Sequence, residues 1–310
     1  MSLIRIEAPG LFTTIQDLGR PGYGPLGVSA SGAADSIALR LGNGLVDNPA
    51  GAAALEMTLL GGAFLFPDGA RAALSGSDFG ATMGGASVPL WTAFDIPPGQ
   101  ILRLGPTQTG ARCYLCVHGG VAVPSFLGSA STHVLSGLGG FEGRALRKGD
   151  VLNIGLPTAN VHHARAVSAA TLQRLAPRKL LRVTDSAQTG WFPESSLDIF
   201  YTGIYRVTEE ANRMGLRLEG SAVAARSGGH MITEGVPLGA IQVPASGQPI
   251  ILFVEQQTTG GYPKIANVIA ADLPSVGQFR PRDEVRFQRV DLTTARALLR
   301  EQEELIREAY

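Results

Sequence analysis

The stretch Gln256-Gln257-Thr258-Thr259-Gly260-Gly261-Tyr262-Pro263-Lys264-Ile265-Ala266-Asn267 lies between two apolar runs. Pro249-Ile250-Ile251-Leu252-Phe253-Val254 precedes it, and Ile265 to Ala271 closes it; each reads as a buried strand. A loop joining two strands has no packing need for so many hydroxyls and amides, a phenol and an amine. The paired glycines let another molecule or another backbone come close. Loops held by a rigid sheet are where binding and catalytic groups concentrate. Gln257, Thr258, Thr259, Gly260, Gly261, Tyr262 and Lys264 are therefore the first candidates for a site.

Outward from this stretch, short strand-like runs recur: Leu3–Glu7, Leu55–Leu59, Ala63–Phe66, Ile101–Leu104, Cys113–Val117, Val151–Ile154, Leu180–Val183, Ile204–Val207, Leu216–Leu218, Ala240–Val243, Ile250–Val254, Ile265–Ala270 and Glu284–Phe287. Glycine makes up 40 of 310 residues, well above the usual ~7 %. Together with 19 prolines it punctuates the chain at short intervals. The pattern predicts a mainly β protein of barrels or sandwiches with many tight turns. Helices are few. Ser31 is placed to cap a helix carrying Ile37, Leu41 and Leu45, with Asp35 in its first turn. A short helix is expected over Ser168–Leu175. A terminal helix follows Asp291, with Ala295, Leu298, Leu299, Leu305 and Ile306 on one face. The strand rhythm breaks between Gly155 and Arg178, which divides the chain into lobes 1–165 and 166–290 and a helical end, 291–310. A weak internal echo, Gln108-Thr109-Gly110 with Pro124-Ser125 against Gln257-Thr258-Thr259-Gly260 with Pro274-Ser275, suggests similar halves.

Composition narrows the function. With 26 basic and 26 acidic residues the formal net charge is zero, and no basic stripe of the kind nucleic acid requires is present. The first residues, Met1 to Glu7, carry charges where a signal peptide needs an apolar run. The apolar region Gly51 to Phe66 is interrupted by Glu56, and a membrane span needs about 20 apolar residues. A soluble, cytoplasmic protein is expected, and the two cysteines fit a reducing compartment.

Several chemical signals have plain structural readings. Cys113 and Cys116 have C-x-x-C spacing but fall within one expected strand, on opposite faces and without a second ligand pair, so they read as small buried residues. His118 reads as a satisfied core histidine. His162-His163 lack a completing ligand, His133 sits in a polar turn, and no metal site is expected. His230, between Gly229 and Met231, is the best functional histidine. Phosphate-loop, dinucleotide and G-x-S-x-G signatures are absent. In Thr14 to Gly24, Asp17 and Arg20 suit a charge-assisted pair, a grip on a substrate carboxylate, or a turn fixed by an Asx-type hydrogen bond with a surface arginine. Ser29, Ser31 and Asp35 precede a helix N-terminus able to receive a carbonyl or an anion. Asn212 and Arg213 offer an amide and a guanidinium, which suit a lactam or ureido group.

Taken together, Ile15 to Tyr23, Val28 to Asp35, Ala52 to Glu56, Gly137 to Arg144, Asn212 to Leu218 and Gln257 to Ile265 resemble the KipA-like family, also called allophanate hydrolase subunit 2. The segments occur in the family's order across nearly the whole chain. The resemblance implies two cyclophilin-like β-barrel lobes facing a shared cleft, with few short helices and a C-terminal helix. It implies the C subunit of an ATP-dependent 5-oxoprolinase, working with a KipI-like B subunit and a LamB/YcsF-like A subunit. ATP is then a co-substrate, its site shared with or on a partner. Alternatives are the carboxyltransferase part of a biotin-dependent urea or amide carboxylase, and a non-enzymatic regulator that binds a KipI-like kinase inhibitor. No Met-Lys-Met biotinylation signature is present, so biotin would come from another chain. In the first reading Asp17, Arg20, Thr259 and Lys264 are catalytic, and Ser29, Ser31, Asp35, Asn212, Arg213, His230, Gln257, Thr258, Gly260, Gly261 and Tyr262 bind substrate. One departure stands out: where the family carries a Gly-Pro pair after the strand that opens the second half, this chain reads Thr184-Asp185-Ser186-Ala187-Gln188. Ser186-Ala187 is expected in a loop lining the cleft.

Overall fold

A computed structural model describes residues 2–157, 166–226 and 231–309. The chain divides into two units, one made of Met1–Arg20, Ser31–Leu175 and Leu305–Tyr310, the other of Pro21–Ala30 and Ala176–Glu304. The main division thus falls after Leu175, because helix α2 (Ala169–Leu175) is counted with the first unit. The helical end does not form a third unit of its own.

In the first unit, alternation sets the strand faces. Ile4 and Ile6 are fully buried while Arg5 between them is exposed, and this two-residue period directs Leu3–Ala8 onto a core. A seven-stranded sheet runs in the order Val121–Ala122, Val151–Ile154, Leu3–Ala8, Ala63–Phe66, Gln100–Arg103, Thr82–Met83, Ala86–Ser87. A five-stranded sheet runs Phe12–Gln16, Ala54–Thr58, Arg112–Val117, Ala70–Gly76, Ala93–Ile96. Ile4, Ile6, Phe64 and Leu102 from the first sheet share a core with Ile15, Leu55, Met57 and Leu115 from the second.

Strand Arg112–Val117 is buried along its whole length. Cys113, Leu115 and Val117 join the core between the sheets, whereas Tyr114 and Cys116 join a second cluster with Ile37, Ala38, Leu41 and Leu45 of helix α1 (Ser36–Leu45). The cysteines therefore occupy opposite faces, as their spacing requires. Burial raises both thiols, Cys116 to about 12, so neither is a nucleophile at neutral pH. His118 Nδ1 lies 2.6 Å from Val46 O, which satisfies the ring in a structural role.

Helix α1 starts later than Ser31 suggests. Its cap is Asp35, whose carboxylate accepts Ala38 N–H at 2.9 Å. Ser31 instead sits at φ 56° and donates its hydroxyl to Thr132 O at 2.9 Å. The intervening Ala34 N–H is held by Glu56 Oε2 at 2.8 Å, which keeps Gly32–Ala34 out of the helix.

The second unit is a closed barrel of Leu180–Asp185, Lys264–Val268, Ala240–Gln242, Ile250–Leu252, Gly215–Glu219, Tyr205–Val207 and Glu284–Arg289, closed by a parallel pairing of its first and last strands in chain order. Helix α3 (Glu194–Thr202) stacks Phe200 on Phe287, with ring centroids 4.5 Å apart. A single turn, α4 (Leu273–Val276), precedes the last strand. Helix α5 (Leu292–Arg307) begins at Asp291, whose carboxylate accepts Thr294 N–H at 2.7 Å. Among the described residues no helix is long and apolar enough to cross a membrane.

Candidate functional site

The polar loop that follows strand Ile250–Leu252 is anchored before it begins. Phe253 N–H donates to Met214 O and Glu255 N–H to Arg213 O, both at 2.9 Å. Arg213 and Glu255 form a buried ion pair. The Asn212–Gly215 turn and the loop are thus brought together. Asn212 spends its side-chain oxygen on its own turn, accepting Met214 N–H at 2.8 Å.

Thr259–Gly260 form a two-residue strand paired with Glu234–Gly235, Glu234 lying opposite Gly260. Val236 N–H donates to Thr258 O and Met231 N–H to Gly261 O, both at 3.0 Å. Gly260 is required by close approach. A methyl group there collides with Gln242 Nε2 and meets Gln257 Nε2 at 3.1 Å. Thr259 and Gln257 are exposed, and Thr258, Gly261 and Tyr262 are half-buried.

Lys264 opens the next strand, opposite Gln242, and both side chains are buried. The Lys264 ammonium donates to Glu234 Oε1, and Gln188 Nε2 donates to the same oxygen at 2.9 Å. Glu234 is half-exposed, and the ammonium beside it holds its carboxyl below the usual range. Two polar atoms of this cluster, Gln188 Oε1 and Gln242 Nε2, are buried and find no partner among the described residues.

The departure at Thr184–Gln188 explains how Gln188 arrives. The first barrel strand runs on to Asp185. Ser186 then donates its hydroxyl to Lys264 O, and Thr189 Oγ1 donates to Ile265 O at 2.6 Å. These two hydroxyls latch the turn onto the Lys264 strand and place Gln188 beside the lysine's partner. The Ser186-Ala187 loop therefore braces the strand that carries the lysine.

Ser29 is buried and grouped with the second unit, its hydroxyl unpartnered among the described residues. His230 falls outside the described residues, as do His162 and His163. Asp17, Arg20, Ser31 and Asp35 belong to the first unit. Asp17 accepts Gly19 N–H at 2.7 Å, Ser129 Oγ–H at 2.6 Å, Ala130 N–H at 2.6 Å and Ser131 Oγ–H at 2.5 Å. Arg20 is fully buried, donates to Ser131 O and to Phe126 O, and lies over the Phe126 ring at 5.6 Å. Asp35, besides capping α1, donates its N–H to Tyr114 OH, whose own proton goes to Glu56 Oε2 at 2.6 Å. In this unit the polar motifs hold loops and a helix in place.

The glycine-rich run Gly137 to Gly143 serves the same loop. Gly139 has φ 64°, and a Cβ there collides with Ser131 O and meets Arg20 Nη2 at 2.7 Å. Gly139→Ala is expected to destabilise the first unit by about 1–3 kcal/mol, seen as a lower unfolding midpoint in urea. An unchanged midpoint contradicts this role for the glycine.

Sequence reasoning missed Gln188, Glu234 and Gln242. The available signal was Gln242, a polar side chain within the apolar run 240–243.

With this geometry in hand, the chain can be placed among known proteins. It belongs to the carboxyltransferase domain family, subdomain A and B, matched over residues 26–289. It is 37 % identical to the C subunit of 5-oxoprolinase from Escherichia coli, covering 94 % of this chain and 93 % of the relative. The corresponding protein of Haemophilus influenzae is 36 % identical, covering 94 % and 92 %. The crystal structure of Kluyveromyces lactis urea amidolyase superposes with a TM-score of 0.91 at 31 % identity over 99 % of this chain. The chain spans about a fifth, 20 %, of that larger protein.

Proposed function

We propose that this chain is the C subunit of an ATP-dependent 5-oxoprolinase, opening the lactam of 5-oxo-L-proline to L-glutamate with a KipI-like B subunit and a LamB/YcsF-like A subunit. The observation that carries this reading is its likeness to two 5-oxoprolinase C subunits along nearly their full lengths. By contrast, the likeness to urea amidolyase concerns one part of a much longer chain.

The chemistry of the second-unit cluster agrees with this reading. A lactam carbonyl resists attack because its nitrogen donates into it, and attack builds negative charge on the oxygen. The substrate of that reaction is itself anionic, carrying a carboxylate beside the lactam, and a buried ammonium such as Lys264 attracts it where the local dielectric is low and the interaction is strongest. Gln188 and Gln242 supply further buried amide donors. The exposed Thr259 hydroxyl and the half-buried Thr258 and Tyr262 line the approach. Arg213, locked to Glu255, fixes where the loop starts.

ATP would activate the lactam oxygen as a leaving group. Lys264 and Arg213 are each engaged by a carboxylate. That donor set does not fit a triphosphate, so no ATP step is derived from these residues.

Membership of the carboxyltransferase family and the fold match to urea amidolyase favour one second reading. It is carboxyl transfer to or from a ureido ring, with biotin carried by another chain. Co-expression with the KipI-like and LamB/YcsF-like partners decides between them. Glutamate formed from 5-oxoproline, dependent on ATP and on this chain, is the expected result. Absence of glutamate, with carboxyl transfer from carboxybiotin to urea, contradicts the oxoprolinase reading.

A further inference from the structure

The Lys264 ammonium and the Gln188 amide are buried donors fixed by the barrel, and they converge on a single carboxylate oxygen. That oxygen belongs to Glu234, which sits on an exposed two-residue strand outside the barrel. A third buried donor, Gln242 Nε2, lies against Gly260, the residue paired with Glu234, and is unpartnered among the described residues. Two buried donors on one carboxylate oxygen, with a third unpartnered beside the paired strand, form a built receptor for a carboxylate. We propose that Lys264, Gln188 and Gln242 form the binding site for the carboxylate of the substrate, and that Glu234 occupies it as an internal stand-in when substrate is absent. The inference rests on the oxoprolinase reading for its ligand, since 5-oxoproline carries one carboxylate beside its lactam.

Displacement of Glu234 is physically cheap. Its side chain is 42 % exposed, so the freed carboxylate rehydrates readily. The strand that carries it is held by a two-residue pairing with Thr259–Gly260, and neighbouring Ile232 is 91 % exposed. Short, solvent-exposed pairings of this kind open locally at low cost. The donors do not move with it, because Lys264 lies in the barrel sheet and Gln188 is latched by Ser186 and Thr189.

An internal competitor lowers the apparent affinity by the fraction of time it holds the site. Titration calorimetry on the full chain, with 5-oxo-L-proline and with 2-pyrrolidinone, its ring without the carboxylate, reads this out. Glu234→Ala is expected to tighten 5-oxoproline binding by about tenfold and leave 2-pyrrolidinone unchanged. Adding Lys264→Met to Glu234→Ala is expected to abolish the gain. If the alanine variant fails to fold, Glu234→Gln keeps an acceptor on the two donors without the charge and gives a smaller gain of the same sign. Unchanged or weaker 5-oxoproline binding in a folded variant, equal tightening for both ligands, or no binding by any variant overturns the proposal. Tightened binding without glutamate formation by the reconstituted complex sinks the oxoprolinase reading and keeps the carboxylate site. Glutamate formation with a Michaelis constant unaltered by Glu234→Ala does the reverse.

Discussion

Lys264→Met is expected to lower kcat/KM for 5-oxoproline in the reconstituted complex by about 10²–10³-fold, the range for removing one partner of a buried, hydrogen-bonded charge pair. Methionine keeps most of the unbranched stem, so the packing of the strand Lys264–Val268 against Ala240–Gln242 is preserved. The stability cost is small, because the partner left behind, Glu234, is half-exposed and returns to water. The loss therefore appears in kcat/KM through weaker binding, with an unfolding midpoint close to the parent's. A kcat/KM near the parent's level in a folded Lys264→Met chain removes the lysine from the mechanism. Lys264→Arg is not a rescue, because a planar guanidinium does not fit the space that a compact ammonium shares with Gln188 on one oxygen.

The second large effect is on stability and lies in the first unit. Asp17 accepts four hydrogen bonds, from two backbone N–H groups and two serine hydroxyls, and is buried. Asp17→Ala leaves the Gly19 and Ala130 N–H groups and the two hydroxyls without their acceptor. Unpaired buried donors of this kind are expected to cost about 3–5 kcal/mol in all. Trp91 lies in the first unit and Trp191 in the second, and they are the only two tryptophans. With Trp191 replaced by phenylalanine, the fluorescence of Trp91 reports unfolding of the first unit alone. The transition seen by Trp91 is expected to shift strongly in Asp17→Ala, and the one seen by Trp191 in the converse background much less. A Trp91 transition that stays in place shows that Asp17 is not the clamp its hydrogen bonds describe.

These two residues also mark how far the sequence could be read. The strands were legible because their apolar runs are bounded by glycine and proline. Leu3–Ala8, Ala63–Phe66, Arg112–Val117 and Val151–Ile154 fall where their patterns place them. Strand Ala70–Gly76 was hidden because alanine, arginine and glycine carry little β preference; its place is set by pairing with Arg112–Val117. Strand Phe12–Gln16 was hidden beside a motif whose chemistry drew the eye. Lys264 was legible as an amine in a polar loop between two buried strands. Its partners were not, because Gln188 and Glu234 lie 76 and 30 residues away in sequence and only the barrel closure brings them together. Asp17, Arg20 and Asn212 have a structural part that the sequence offered only as the plainer of two readings. Charged and amide side chains next to glycines look like a site, and here they also supply hydrogen bonds that irregular backbone needs.

The central claim is that Lys264 and the amides beside it receive the substrate. A structure of the assembled complex soaked with 5-oxo-L-proline tests it directly. A ligand oxygen within about 3 Å of Lys264 Nζ, a normal hydrogen-bond distance, is the predicted result. Bound 5-oxoproline elsewhere, with the Lys264–Glu234 pair undisturbed, contradicts it.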